Sequence, residues 1–113
     1  MKKTIILLTL ALTACTAKAP LSQEVVRSEM ARCPEASHLD GQEGKLKWNY
    51  TTGLELKAFL DAGIVNYVDA WYDAVIAEDG AIGVNYKRSN YSLDHICPGR
   101  TLFGLYDLTG KEK

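Results

Sequence analysis

Trp48-Asn-Tyr-Thr-Thr-Gly-Leu-Glu-Leu-Lys-Ala-Phe-Leu60, followed by Asp61-Ala-Gly63 and Ile64-Val-Asn-Tyr-Val-Asp-Ala-Trp-Tyr-Asp-Ala-Val-Ile-Ala77, decides the fold. Thr52-Gly-Leu-Glu55 has capping-box spacing, in which a hydroxyl and a carboxylate three residues apart satisfy the free amides of a helix start. Leu54, Leu56, Phe59 and Leu60 continue it at helical intervals. Ala62-Gly63 breaks the run. Ile64, Tyr67, Val68, Trp71, Val75 and Ile76 then build a second helix, residues 64–77, with its own apolar face. Two helices with so short a connection fold back as a hairpin.

On the N-terminal side, Ser22 can cap a helix over residues 23–32, with Val25, Val26, Met30 and Cys33 facing inward and Pro34 ending it. Residues 35–47 are polar, with turn signals at Asp40-Gly41 and Glu43-Gly44, and read as loop. On the C-terminal side, Glu78-Asp-Gly80 is a turn and residues 82–86 form a short extended piece. A last helix runs over about residues 98–108, starting at Pro98 and stopping at Thr109-Gly110. The class is all-α, built from helical hairpins, with no internal repeat and no strong strand signal.

The chain begins with a processing signal. Lys2 and Lys3 precede an apolar run over residues 5–12 that is too short to span a bilayer. Leu12-Thr-Ala-Cys15 fits the lipobox of bacterial lipoproteins, so residues 1–14 are expected to be removed and Cys15 to carry lipid. An ordinary secretory signal is the alternative. Several acyl chains make a stable anchor where one would be marginal, and the lipid bilayer becomes a partner. Thr16 is not the aspartate that retains lipoproteins at the inner membrane, which points to the outer membrane. Residues 15–21 are then a lipidated tether and residues 22–113 the domain. Loss of Lys2 and Lys3 takes the formal charge from −1 to −3, and no basic stripe is visible, so nucleic acid is not an expected partner. Oligomeric state is open. An oxidising compartment would allow Cys33 and Cys97 to pair, but no spacing brings them together, and two free thiols are the favoured state.

The chemistry concentrates in Tyr91-Ser-Leu-Asp-His-Ile-Cys-Pro-Gly99. Asp94 and His95 are adjacent at the head of the last helix, where a carboxylate faces the positive helix end. Read from residues alone, Asp94 is first a helix cap and His95 a surface residue; an acid–histidine pair aimed into one cleft is the sharper alternative. Trp48-Asn49-Tyr50 stands at a helix start, where aromatics either stack on sugar rings or plug the edge of the hairpin. Trp71 shares a face with Val68 and Val75 and reads as core. Asp61, Asp69 and Asp73 line a solvated face. His38 and His95 are the only histidines and lie in separate loops, so no metal site is expected, and no cofactor either. A glycine-rich phosphate loop and a GxSxG elbow are both missing.

Three blocks together carry a resemblance. They are Lys47-Trp-Asn-Tyr-Thr-Thr-Gly-Leu-Glu-Leu-Lys-Ala-Phe-Leu-Asp61, Tyr67-Val-Asp-Ala-Trp-Tyr-Asp73, and Tyr91-Ser-Leu-Asp-His95 through Leu102-Phe103. In this order the chain, from about Ser22 to Lys113, resembles the start of the unsaturated rhamnogalacturonyl hydrolases of glycoside hydrolase families 88 and 105. Ala62-Gly63 is shorter than the family pattern there and reads as a local deletion. The resemblance implies an (α/α)6 barrel, of which four helices are about one third. It implies as substrate a pectin-derived oligosaccharide ending in a 4,5-unsaturated uronic acid. In such enzymes a carboxylic acid protonates C4 of the vinyl ether, water adds at C5, and the hemiketal collapses to expel the neighbouring sugar. By position Asp94 matches the first, assisting aspartate, and His95, Trp48 and Tyr50 match the substrate-binding surroundings. The principal acid/base aspartate is expected some fifty-odd residues further on, beyond Lys113. The chain is therefore read as truncated and without turnover, its open inner face exposing Leu54, Phe59 and Phe103. The alternatives are a non-catalytic lipoprotein with residual carbohydrate- or partner-binding, and an unrelated structural lipoprotein.

Overall fold

The computed structural model describes residues 19–40 and 45–112; the expected signal segment and Cys15 lie outside them. Four α-helices make the framework: α1 (Leu21–Arg32), α2 (Tyr50–Asp61), α3 (Val65–Val75) and α4 (Ile96–Thr109). Short 3-10 turns fill the connections at Ala36–His38, Arg88–Asn90 and Leu93–His95. The described residues contain no strand, only an isolated antiparallel bridge between Ile76 and Ile82 that closes the turn after α3. Helix α2 is central, with its broadest packing against α4, while α3 and the Ala36–His38 turn close the other side.

The hairpin forms as its sequence dictates, and its corner is explicit. Gly63 takes a left-handed φ of 82°, its amide bonds the Leu60 carbonyl, and the Ile64 amide bonds the Phe59 carbonyl, both at 2.9 Å. This double closure is a Schellman ending, and glycine supplies the φ that a side chain resists. Ile64 itself is non-helical, with φ −89° and ψ 69°, so α3 starts at Val65. At the far end Ile76 is extended, and α3 stops at Val75.

Several element boundaries differ from the sequence reading. Helix α1 starts at Leu21 after Pro20, and Ser22 is an exposed first-turn residue that makes no cap. Of its expected inward residues Val26 and Cys33 are buried and Met30 partly so, but Val25 is exposed. Helix α2 starts three residues earlier than the capping box placed it. Asn49 is the cap, accepting the Thr52 amide at 3.0 Å, and the Thr52 hydroxyl donates to Asn49 and Asp40. Helix α4 begins at Ile96, so Pro98 sits inside its first turn, where no amide is missed.

The core gathers Trp48, Leu56, Phe59, Leu60, Tyr67, Val68, Trp71, Tyr72, Val75 and Leu105. Trp71 is core, as its spacing indicated. Phe59 is also buried, whereas Leu54 and Phe103 are exposed, so the apolar surface comes from α4 more than from α2. Cys33 and Cys97 are both free thiols. The aspartate face is partly paired: Lys57 bridges to Asp61, and Lys111 reaches back to Asp69 and Asp73.

Candidate functional site

The site is the approach to α4, and Trp48 holds it in place. Its indole is 2% exposed, stacks on Trp71 at 5.9 Å, and meets Tyr72 and Tyr86 edge-on. From this buried seat its Nε1–H donates to the His95 carbonyl at 2.7 Å. Its backbone is gripped in turn by Asn85, whose Oδ1 accepts the Trp48 amide at 2.7 Å and whose amide nitrogen donates to the Trp48 carbonyl at 3.4 Å. Of the two readings of Trp48, packing describes its position. Its influence on the site passes through the His95 backbone.

Two further contacts fix the same loop from beneath. The buried Tyr72 hydroxyl donates to the Pro98 carbonyl at 2.6 Å, and burial pushes its pKa well above the usual phenol range. Gly53 on α2 lies directly under α4. A Cβ there would stand 2.6 Å from the Pro98 nitrogen and 2.8 Å from the Cys97 carbonyl carbon. Helix α4 can approach α2 this closely only because residue 53 has no side chain.

Above these supports opens a broad cleft of about 940 Å³. Its floor and walls include Trp48, Ile82, Tyr86, His95, Ile96 and Phe103, and its basic members are Lys87, Arg88 and Arg100. The His95 ring tilts against Tyr86 at 5.9 Å, and its Nδ1 is buried without a hydrogen-bond partner among the described residues. Tyr91 stands on the rim in a left-handed backbone conformation, φ 47°, which costs a non-glycine residue strain, and its ring is exposed.

Asp94 lies in the Leu93–His95 turn, exposed beside this cleft rather than in its wall. It caps nothing: the residue before α4 is His95, and no side-chain cap bond is made. Tyr50 is half-exposed on the first turn of α2 and does not line the cleft. The structure thus brings Trp48 and His95 together, sets Asp94 next to them, and leaves Tyr50 apart. Asn85, Tyr86, Arg88 and Arg100 were not singled out from sequence. Gly53 carried a readable signal, since glycine inside a helical pattern is disfavoured unless something packs close.

A second acidic locus lies behind the site. Asp40 accepts hydrogen bonds from the Thr51 and Thr52 hydroxyls at the positive end of α2. Glu55, one turn on, is half-buried with Oε2 unpartnered among the described residues, and burial, helped by the charges of Asp40 and Glu29, lifts its pKa to about 7. Among the described residues no group of three or more His, Cys, Asp or Glu side chains could hold a metal.

The described residues thus form helical hairpins with an aromatic, histidine-lined cleft at the start of α4 and an exposed carboxylate, Asp94, beside it. The chain belongs to Glycosyl Hydrolase Family 88, whose family model matches residues 21–113. By family it is a glycoside hydrolase. No curated protein and no solved structure matches the chain.

Proposed function

We propose that this chain derives from an unsaturated rhamnogalacturonyl hydrolase acting on pectin-derived oligosaccharides, and that it contributes the assisting aspartate and part of the sugar-binding surface. The observation that carries the reading is the Trp48–His95 hydrogen bond, which seats the Asp94-His95 pair at the mouth of a cleft large enough for a short saccharide. Asp94 is exposed and makes no side-chain hydrogen bond or ion pair with another described residue, so its carboxylate is available to a ligand. Hydration of a 4,5-unsaturated uronic acid requires a proton delivered to C4 by a protonated carboxyl, followed by water at C5. Among the described residues the cleft wall holds no carboxylate. The chain by itself is therefore expected to give no turnover. Tyr50 would reach only a sugar unit outside the cleft.

Incubation of the purified chain with an unsaturated rhamnogalacturonan disaccharide tests this directly. Near-ultraviolet absorbance of the conjugated double bond should stay constant. Loss of absorbance that Asp94→Asn abolishes would overturn the expectation of inactivity while keeping the family reaction. The cationic, largely apolar cleft without an acid also favours a second reading, a non-catalytic protein that retains ligand binding. Saturable binding of the disaccharide, lost in Asp94→Asn but without turnover, is its signature. The same proposal includes a lipid on Cys15 and residence in the cell envelope. Labelled palmitate should enter the wild-type chain and not Cys15→Ala.

A further inference from the structure

We propose that His95 serves the cleft as a fixed hydrogen-bond donor, its ring carrying the proton on Nε2 and offering that N–H to the carboxylate of an acidic sugar. The inference rests on the saccharide reading above and assigns His95 its part in it. The residue is held from three sides. Its amide donates to the Ser92 carbonyl at 3.2 Å, its carbonyl accepts the Trp48 indole N–H at 2.7 Å, and its ring tilts against Tyr86 at 5.9 Å. In that seat the two ring nitrogens have different surroundings. Nδ1 is enclosed and meets no hydrogen-bond partner among the described residues. Nε2 is neither enclosed nor hydrogen-bonded among them, and the ring lines the cleft. An atom already shut in by its neighbours stays shut in whatever else packs around the cleft, so the asymmetry belongs to the described residues alone.

A neutral imidazole has one N–H and one bare nitrogen, and the partners of the ring decide which is which. A buried N–H without an acceptor is rare in folded chains, because the hydration it loses is not recovered. Acceptors left short of a partner are tolerated more often. The proton is therefore placed on Nε2, where a ligand can take up its hydrogen bond. In this form the ring turns no lone pair to the cleft, so His95 is not the general base of the site, and proton transfer is left to carboxylates. What it can do is recognise an acceptor oxygen. Lys87 and Arg88 line the same cleft, whose wall holds no carboxylate among the described residues. An anionic acceptor is thus favoured over a sugar hydroxyl. A hydrogen bond to a carboxylate is also stronger than one to a neutral oxygen.

The experiment is long-range proton–nitrogen correlation NMR on the isotope-labelled full chain at about pH 8, where an ordinary imidazole is uncharged. His38 is the only other histidine, and His38→Gln identifies its signals. The expected result is the Nε2–H pattern for His95. An Nδ1–H pattern, or the two tautomers in equal amounts, overturns the proposal. The unsaturated rhamnogalacturonan disaccharide is then titrated into the same sample. The His95 Nε2 signal should move as the site fills, and the methyl ester of the disaccharide should bind about tenfold more weakly. His95→Gln, whose amide reaches the place of Nε2, should hold the disaccharide within about threefold of wild type, and His95→Asn should lose about tenfold. Binding that leaves Nε2 unmoved, or an ester that binds as well as the acid, overturns the assignment and leaves the saccharide cleft standing. A disaccharide that moves no signal at all removes both. The tautomer and the titration are read on the wild-type chain, so neither depends on a variant that folds or on glycosidase activity.

Discussion

At the scale of single residues, Gly53 and Glu55 do opposite things two residues apart on α2. Gly53 permits contact. Alanine there would press a methyl group into the backbone of Cys97 and Pro98, which cannot swing aside as a side-chain tip could. Gly53→Ala is expected to cost about 2–3 kcal/mol through overpacking, even though alanine is the better helix former. Urea unfolding measures this, and a stabilised variant would mean that α4 does not rest on α2. Glu55 resists contact. Its carboxyl binds a proton more tightly in the folded chain, with a pKa near 7, than at its ordinary 4.5. Stability must then fall as pH rises between those values, and the whole penalty is present above pH 7. The group is about half exposed, so solvent screening reduces the effect to about 1 kcal/mol. Glu55→Gln should raise stability at pH 8 by about that amount and leave pH 4 nearly unchanged. Urea midpoints whose pH dependence is the same in both proteins would exclude Glu55 as the cause.

At the scale of elements, the segment between α3 and α4 is held by side chains more than by its own backbone. Trp48 and Asn85 lie 37 residues apart, yet together they tie its middle and its end to the base of α2. Trp48→Phe keeps a ring in the aromatic cluster but leaves the His95 carbonyl without its donor, a loss of about 1–2 kcal/mol. The expected consequence is local: trypsin should cut after Lys87 or Arg88 about tenfold faster. An unchanged cleavage rate would show that aromatic packing alone holds the segment. This element also marks how far the sequence could be read. The four helices were legible because their apolar periods run for ten or more residues, and Ala62-Gly63 announced the hairpin corner. The start of α2 was misplaced because Asn49 and Thr52 can both cap, and only tertiary context decided between them: Asp40 takes the Thr52 hydroxyl. The Asp94-His95 pair was visible as a motif. Its support was not, since a bond from a buried indole to a distant carbonyl leaves no periodic trace. Trp48 could equally have faced a sugar or the core, and Trp71 and Tyr86 settled its position by enclosing it.

At the scale of the whole molecule, stability is distributed unevenly, and α1 is the loosest helix. It gives the core only Val26 and a partly buried Met30, whereas α2 and α3 supply most of its large side chains. One polar contact pins its end. The Tyr67 hydroxyl, on α3, donates to the Cys33 carbonyl at 2.6 Å, and burial pushes its pKa up to about 12. Segments with little buried apolar surface open at lower free energy than the global unfolding that exposes a core. Tyr67→Phe keeps the ring against Phe59 while leaving the Cys33 carbonyl unpartnered. A buried hydrogen bond of this kind contributes about 1–1.5 kcal/mol, close to one factor of ten in an opening equilibrium. Amide exchange across Leu21–Arg32 should therefore quicken about tenfold in the variant, with Tyr50–Asp61 keeping the protection set by global stability. If both helices lost protection equally, α1 would belong to the same cooperative unit as the core, and the chain would open all at once. If only α1 responds, the scaffold beneath the cleft is α2, α3 and α4 alone, and the Asp94-His95 loop keeps its seat while the N-terminal helix comes and goes.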